Sequence, residues 1–227
     1  MRCRARIPAV RRALFIALFA ACSLHAAEVT VSAAASLSDA MTEIAHLYES
    51  RPGEKIILNF GASSTLATQI VNGAPVDLFL SADDAQMDRV ATAVRVPLLG
   101  NRLAIVGAPL AKARRIAIAN PEAVPAGVYA KQWLIRRGLW STVEGKIVPA
   151  ENVRAALAAV LHGNADTAIV YATDSRLGVV IEDGPPISYP AAVLRNAKNG
   201  AAARRFLEFL QSRDAAAIFR KYGFIVK

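Results

Sequence analysis

Four stretches of this chain end an apolar run in small or hydroxyl residues and pass straight into a helical pattern: "VTVSAAAS" ending at Ser36, "IILNFGASS" with Ser63 and Ser64, "VDLFLSADD" with Ser81, Ala82 and two aspartates, and "IVPAENV" with Asn152 and Val153. A fifth run, "AIVYATDS", places Tyr171 at its end. Serine and tyrosine hydroxyls are hydrogen-bond donors, and the first N–H groups of a helix lack an intrahelical acceptor and carry partial positive charge. Several such groups pointed at one place bind a compact anion without a lysine or an arginine, and the small residues let it approach the backbone. Taken singly, each position has a plainer reading. A serine ahead of a helix is commonly its N-cap, Ser36 with Asp39 three residues on has capping-box spacing, and Tyr171 reads as a core ring with a satisfied hydroxyl.

Convergence needs an architecture that brings strand ends together. Short runs rich in Val, Ile and Leu recur: "VTVSAA", "KIILNF", "VDLFLS", "RLAIVG", "RIAIAN" and "TAIVYA". Continuous apolar runs suit strands covered on both faces. Helical spacing lies between them, with Leu37, Met41, Ile44 and Tyr48 on one face, Leu66 with Ile70, and Val153 with Leu157 and Val160. Alternating strand and helix predicts an α/β chain of mostly parallel sheets, whose carboxyl edge is where ligands bind. From Gly200 onward the sequence reads as two amphipathic helices and a short tail that pack back on the first half.

The first 27 residues have another task. Five arginines precede the apolar run "ALFIALFAACSL", followed by the small residues of "HAA". That is the layout of a secretory signal peptide over residues 1–27, too short to span a bilayer. Lipidation at Cys22 and a twin-arginine signal at Arg11-Arg12 are alternatives. Removing the leader lowers the formal charge from +9 to +4 and takes away both cysteines, Cys3 and Cys22. The remaining chain therefore has no disulfide, thiol nucleophile or Cys-ligated metal. Its scattered Lys and Arg make no nucleic-acid face. No later run is apolar enough to cross a membrane, so the expected location is the periplasm.

The blocks "AAASLSDAM", "FGASSTLATQI", "GAPVDLFLSADDAQMD", "IANPEAVPAGVYAKQWL", "VPAENVRAAL", "AIVYATDS" and "AAAIFRKYGFIVK" resemble, in order and spacing, the periplasmic molybdate-binding proteins of ABC importers. The resemblance implies a two-lobed type II periplasmic binding fold, each lobe a mostly parallel sheet flanked by helices, with the anion in the cleft. It implies a first lobe of residues 28–103 and 192–227 and a second of 104–191, with crossings near Leu103 and Ala191. It carries over five ligand positions: the hydroxyls of Ser36, Ser63 and Tyr171 and the backbone at Ala82 and Val153. The implied ligand is molybdate or tungstate, held as the oxyanion and not as a metal cation. No cofactor is implied, and the partner is a membrane ABC permease served by a monomer. The chain departs from the family between its "GNRL" and "RIAIAN" strands, which only "APLAKAR" joins. That shortening bears on the edge of the second lobe, the hinge and the permease-docking surface, and on none of the five positions.

Three other readings stay open. A secreted serine hydrolase using Ser36 or Ser63 would need a base, but His46 and His162 each lie in a helical pattern and "GASST" is not a G-x-S-x-G elbow. The same fold could hold sulfate, another oxyanion or an organic acid, although carboxylate sites commonly recruit arginine and only Arg154 lies near a ligand position. A sensor that binds molybdate and reports it would carry the same pocket.

Overall fold

The computed structural model describes residues 27–51 and 53–227. The leader, with its cleavage region and Cys22, lies outside the described residues. The chain begins with β1 (Glu28–Ala34), α1 (Ser38–Glu49), β2 (Lys55–Gly61), α2 (Ser63–Val71), β3 (Leu78–Leu80), α3 (Asp84–Met87) and β4 (Thr92–Asn101). It continues with β5 (Leu103–Gly107), β6 (Ile116–Ala119), α4 (Pro125–Arg136), α5 (Trp140–Val143), β7 (Ile147–Ala150), α6 (Val153–Leu161), β8 (Thr167–Tyr171) and β9 (Val179–Val180). It closes with β10 (Ile187–Leu194), α7 (Gly200–Leu210), α8 (Arg213–Lys221) and β11 (Ile225–Val226).

These strands form two sheets, ordered β11-β4-β10-β3-β1-β2 and β7-β6-β8-β5-β9. Each is mixed and not mostly parallel. β1 pairs in parallel with β2 and β3, and β6 with β7 and β8, while β10 runs antiparallel to β3 and β4, and β5 antiparallel to β8 and β9. The reason lies in the connections. Parallel strands need a covering helix between them, whereas β4, β5 and β10 enter or leave a sheet where the chain passes between lobes. The chain leaves the first sheet after Asn101 and enters the second at Leu103. It returns between Val180 and Ile187, upstream of the boundary expected after residue 191, so β10 lies wholly in the first sheet.

The central strands are the ones with unbroken apolar runs. β6 (IAIA) and β8 (TAIVY) are buried throughout, and β1 over its last four residues. In the first lobe α2 packs on β1, α7 on β10, and α8 on α1. In the second, α4 and α6 pack on β6 and β8. The two C-terminal helices thus cover the first lobe, and β11 extends its sheet by pairing with β4. The link between β5 and β6 is a single 3-10 turn, Leu110–Lys112, closed by Asp166, whose carboxylate accepts the N–H groups of Arg114 and Arg115.

Asp77 fastens the start of the first lobe. Its buried carboxylate accepts N–H donors from Thr30 in β1 (3.0 Å) and from Asn199 ahead of α7 (2.8 Å). Removing that acceptor strands two N–H groups at the strand–helix seam. Asp77→Ala is expected to lower stability by about 2–4 kcal/mol, and Asp77→Asn, which keeps one acceptor, by less. Urea denaturation of the three proteins checks this, and equal midpoints would contradict it.

Candidate functional site

Three strands of each lobe aim their carboxyl ends at one small cavity. From the first lobe, β1 leads through a 3-10 turn (Ala35–Leu37) that holds Ser36, β2 leads to Ser63 at the start of α2, and β3 leads to Ala82. From the second, β6 leads to Pro125 and Ala126 at the start of α4, β7 to Asn152 and Val153 at the start of α6, and β8 ends on Tyr171. All five expected positions line this cavity. The space open to the centre of a water-sized sphere is about 20 Å³, room for one compact ion and not for an organic metabolite.

Ser36 is not the helix cap its spacing suggested. Leu37 occupies the cap position of α1 without a side-chain bond, and the Ser36 hydroxyl lies 2.9 Å from that of Tyr189. Ser36 is buried in a tight turn ahead of the helix, so its side chain serves the interior and not the helix end. Asn152, by contrast, is a true cap, with its side-chain oxygen accepting from Ala155. That bond occupies the amide's acceptor and leaves the N–H of Val153, in the first helical turn, with no intrahelical partner.

Ser63 and Ala82 act together. The Ala82 N–H donates to Ser63 Oγ at 2.9 Å, so Ala82 fixes the serine and its amide is not free for a ligand. With its oxygen already accepting, the Ser63 hydroxyl directs its own proton elsewhere. The amide that the sequence reading missed is Ala126. Pro125 occupies the first turn of α4, and Ala126, next in the helix, has no carbonyl of that helix to bond. "VPAG" carried the signal, a proline at a helix start just after an apolar strand. Gly127 brings this turn close to the sheet: a β-carbon there would meet the Ala119 carbonyl oxygen at 2.0 Å. Only glycine permits that approach.

Tyr171 is 1% exposed, and its hydroxyl has no hydrogen-bond partner among the described residues. A buried hydroxyl without a partner costs free energy that an incoming acceptor recovers. Burial, with nearby tyrosine and aspartate groups adding to it, drives its pKa far above the ordinary phenol value, so it stays a donor.

The comparisons with known proteins follow the same lines. The model of the bacterial extracellular solute-binding proteins matches residues 29–225. The molybdate-binding protein ModA of Escherichia coli (strain K12) is 40% identical over 88% of this chain and 90% of its own. This chain belongs to the family of periplasmic molybdate-binding proteins. ModA of Haemophilus influenzae is 30% identical, covering 98% of this chain and 99% of its own. The alignment with the E. coli relative runs to 232 positions, more than the 227 residues here, so this family member lacks residues that its relative carries. Among solved structures, the Azotobacter vinelandii periplasmic molybdate-binding protein superposes with a TM-score of 0.79 at 24% identity, covering 88% of this chain and 99% of its own. The sulfate-binding protein SubI of Mycobacterium tuberculosis superposes at 0.77 with 16% identity, covering 87% and 86%, and shares the fold.

In this solute-binding protein one arginine joins the lobes beside the cavity. Arg154, next to Val153 on α6, contacts Asp39 on α1 at 2.8 Å and Asp174, just past β8, at 2.8 Å. The Arg154 Nε–H is not aligned on Asp174, so that contact is ionic and not a formed hydrogen bond. Asp174 also accepts the Tyr171 N–H at 3.1 Å, which ties the pair to the cavity wall. Its side chain is wholly buried. Burial outweighs the attraction of Arg154 and the Tyr171 N–H and lifts the Asp174 pKa to about 6.

A carboxyl whose pKa is raised on folding stabilises the native state below its unfolded pKa, and that contribution is lost as pH rises through the folded value. Relative to Asp174→Asn, the wild-type protein should therefore lose about 3 kcal/mol of stability between the unfolded aspartate pKa and just above about 6. Urea denaturation at stepped pH measures the difference. A flat difference across that window would contradict the burial account.

Proposed function

We propose that this protein captures molybdate, and tungstate with it, in the cavity between its lobes and delivers it to a membrane ABC permease, working outside the cytoplasm as a monomer with no cofactor and no catalytic step. The observation that carries the reading is a small buried cavity whose lining offers donors from five strand ends, the hydroxyls of Ser36, Ser63 and Tyr171 and the amides of Ala126 and Val153, with Ala82 at a sixth aligning Ser63. The relatives named for molybdate support it, since the E. coli protein aligns over nearly the whole of its length.

The chemistry follows from the donor set. No lining side chain is charged, and the acceptor of the one lining amide, Asn152, is already in use. Such a lining favours an oxyanion that arrives fully deprotonated, because a protonated one would set its own donor against another. Phosphate is partly protonated at neutral pH and is disfavoured. Sulfate carries no proton, so size has to separate it from molybdate, and amides fixed at helix starts can enforce size. Each hydrogen bond to the anion contributes roughly 1.5–3 kcal/mol, enough for tight binding after the cost of association.

Closing the lobes around the anion dehydrates it and completes the donor set, and the Arg154–Asp39 pair spans the closed cleft while Asp174 holds Arg154 from within its own lobe. The pair to Asp39 is largely exposed and is worth about 1 kcal/mol at most. It biases closure and leaves the anion to decide it.

Calorimetry of residues 28–227 against molybdate, tungstate, sulfate and phosphate tests the reading. Tight one-to-one binding of the first two with the others silent is the expected result, and sulfate binding with molybdate silent would replace the ligand. Tyr171→Phe is expected to weaken molybdate binding by about tenfold or more while leaving thermal stability unchanged or raised, because the hydroxyl it removes has no protein partner. Unchanged affinity would take Tyr171 out of the site.

A further inference from the structure

Behind Ser36, on the side away from the cavity, a line of hydrogen bonds has a fixed direction. Asn101, the last residue of β4, sets it. Its side-chain oxygen accepts the Arg102 N–H at 2.8 Å, so the amide nitrogen faces the other way and donates to Thr173 Oγ1 at 2.9 Å and to the Tyr189 hydroxyl at 3.2 Å. A flipped amide would set its NH₂ group against the Arg102 N–H. The Tyr189 oxygen therefore accepts from Asn101 and has its own proton to give. The acceptor within reach is Ser36 Oγ, 2.9 Å away. Ser36, accepting from Tyr189, has its proton left to send into the cavity.

Nothing about a free serine hydroxyl imposes that polarity, because it can donate or accept by rotating its hydrogen. We propose that Tyr189 is a positioning residue that sets the anion selectivity of the cavity by holding the Ser36 hydroxyl as an obligate donor, an inference that rests on the oxyanion reading above. Two further observations fit this role. Tyr189 is fully buried and its pKa is driven far up by that burial, so the proton the line needs is always there. Its ring is held edge-on between Tyr171 (5.8 Å) and Phe224 (5.5 Å), so the hydroxyl stays aimed. Asn101 and Tyr189 lie near the two chain crossings, and Thr173 belongs to the second lobe. The line that orients Ser36 in the first lobe is thus anchored at the hinge.

The consequence concerns protonated anions. With Ser36 locked as a donor, hydrogen phosphate meets a second donor where its own O–H needs an acceptor. With the lock removed, Ser36 can turn and accept that proton. Tyr189→Phe keeps the ring packing and removes only the hydroxyl. The test is competition calorimetry on the secreted protein and its Tyr189→Phe and Asn101→Asp variants, with molybdate, sulfate and the hydrogen phosphate dianion at mildly alkaline pH.

Tyr189→Phe is expected to weaken molybdate about tenfold and to reduce the preference for molybdate over hydrogen phosphate by about tenfold, the effect of one hydrogen bond. The preference for molybdate over sulfate should not move, because neither ion carries a proton. A mutation that merely loosened the cavity would shift both preferences, and that result would overturn the proposal. In Asn101→Asp the introduced carboxylate can only accept, so the line reverses and Ser36 presents a lone pair. Its added charge acts alike on all three dianions, and the molybdate-to-hydrogen-phosphate preference should again fall about tenfold or more. A wild-type protein that binds molybdate, with folded variants that keep both preferences, refutes the role of Tyr189 and leaves the oxyanion reading standing. A wild-type protein silent to molybdate, tungstate and sulfate refutes the oxyanion reading and this inference with it.

Discussion

A donor buried without an acceptor is the constraint on which this structure turns. Helix starts and strand-end hydroxyls must find partners, and most do so within the protein: Asn152 caps α6, Ser63 accepts from Ala82, and Asn101 fills both its functions. Among the described residues the buried side-chain atoms left without a hydrogen bond are the Tyr171 hydroxyl, on the cavity wall, and the facing Nε and Oδ1 atoms of the neighbouring Arg154–Asp174 ion pair. The cost of leaving the hydroxyl dry is recovered when an acceptor-only ion enters. On the proposed reading the protein thereby stores its affinity in neutral hydroxyls and amides and not in a countercharge.

The two-lobed arrangement follows from that need. One parallel sheet offers its carboxyl edge on one side only, and a small anion has to be surrounded to lose its water. Two sheets whose edges face each other supply β1, β2 and β3 from one side and β6, β7 and β8 from the other. The antiparallel strands β4, β5 and β10 are what this costs in topology, because the chain must leave the first sheet to build the second and then return. Gly127 has a corresponding role at short range, since without its missing side chain α4 could not set its first amides against the cleft.

Much of this was legible in the sequence, and the reasons are local. The six apolar runs are strands, β2 among them although it lies exposed at the sheet edge, and Val153 opens α6 behind its Asn152 cap, because apolar runs and capping leave marks within a few residues. Of the crossing strands, β5 was legible as the run "RLAIVG", but β4 and β10 were not. β4 reads "TAVRVPLLGN", half exposed and with a proline in it, and β10 carries Pro190, so neither shows the signature of a covered strand. Ser36 fitted a capping box by spacing, but its hydroxyl is claimed by Tyr189, which lies 153 residues away. The Ala82 amide suits a ligand contact by its place after β3, but it donates to Ser63 Oγ. In each case a partner distant in sequence decided the role of a group whose neighbours suggested another.

Neutral donors also explain why the cavity needs no arginine even though Arg154 stands beside it. A guanidinium in the pocket would bind any anion strongly and respond little to whether the anion carries a proton, since charge acts at a distance and in all directions. Hydroxyls and amides act only along their bonds, within about 3 Å, so they report the position and protonation of every ligand oxygen. Arg154 is instead drawn off to Asp39 and Asp174, where its charge is matched and kept from the ligand. Separating the charge that helps hold the lobes from the dipoles that hold the anion lets one site be both selective and reversible. On the proposed reading, opening the cleft returns water to the donors, and an ion held by them alone has no fixed charge to keep it there.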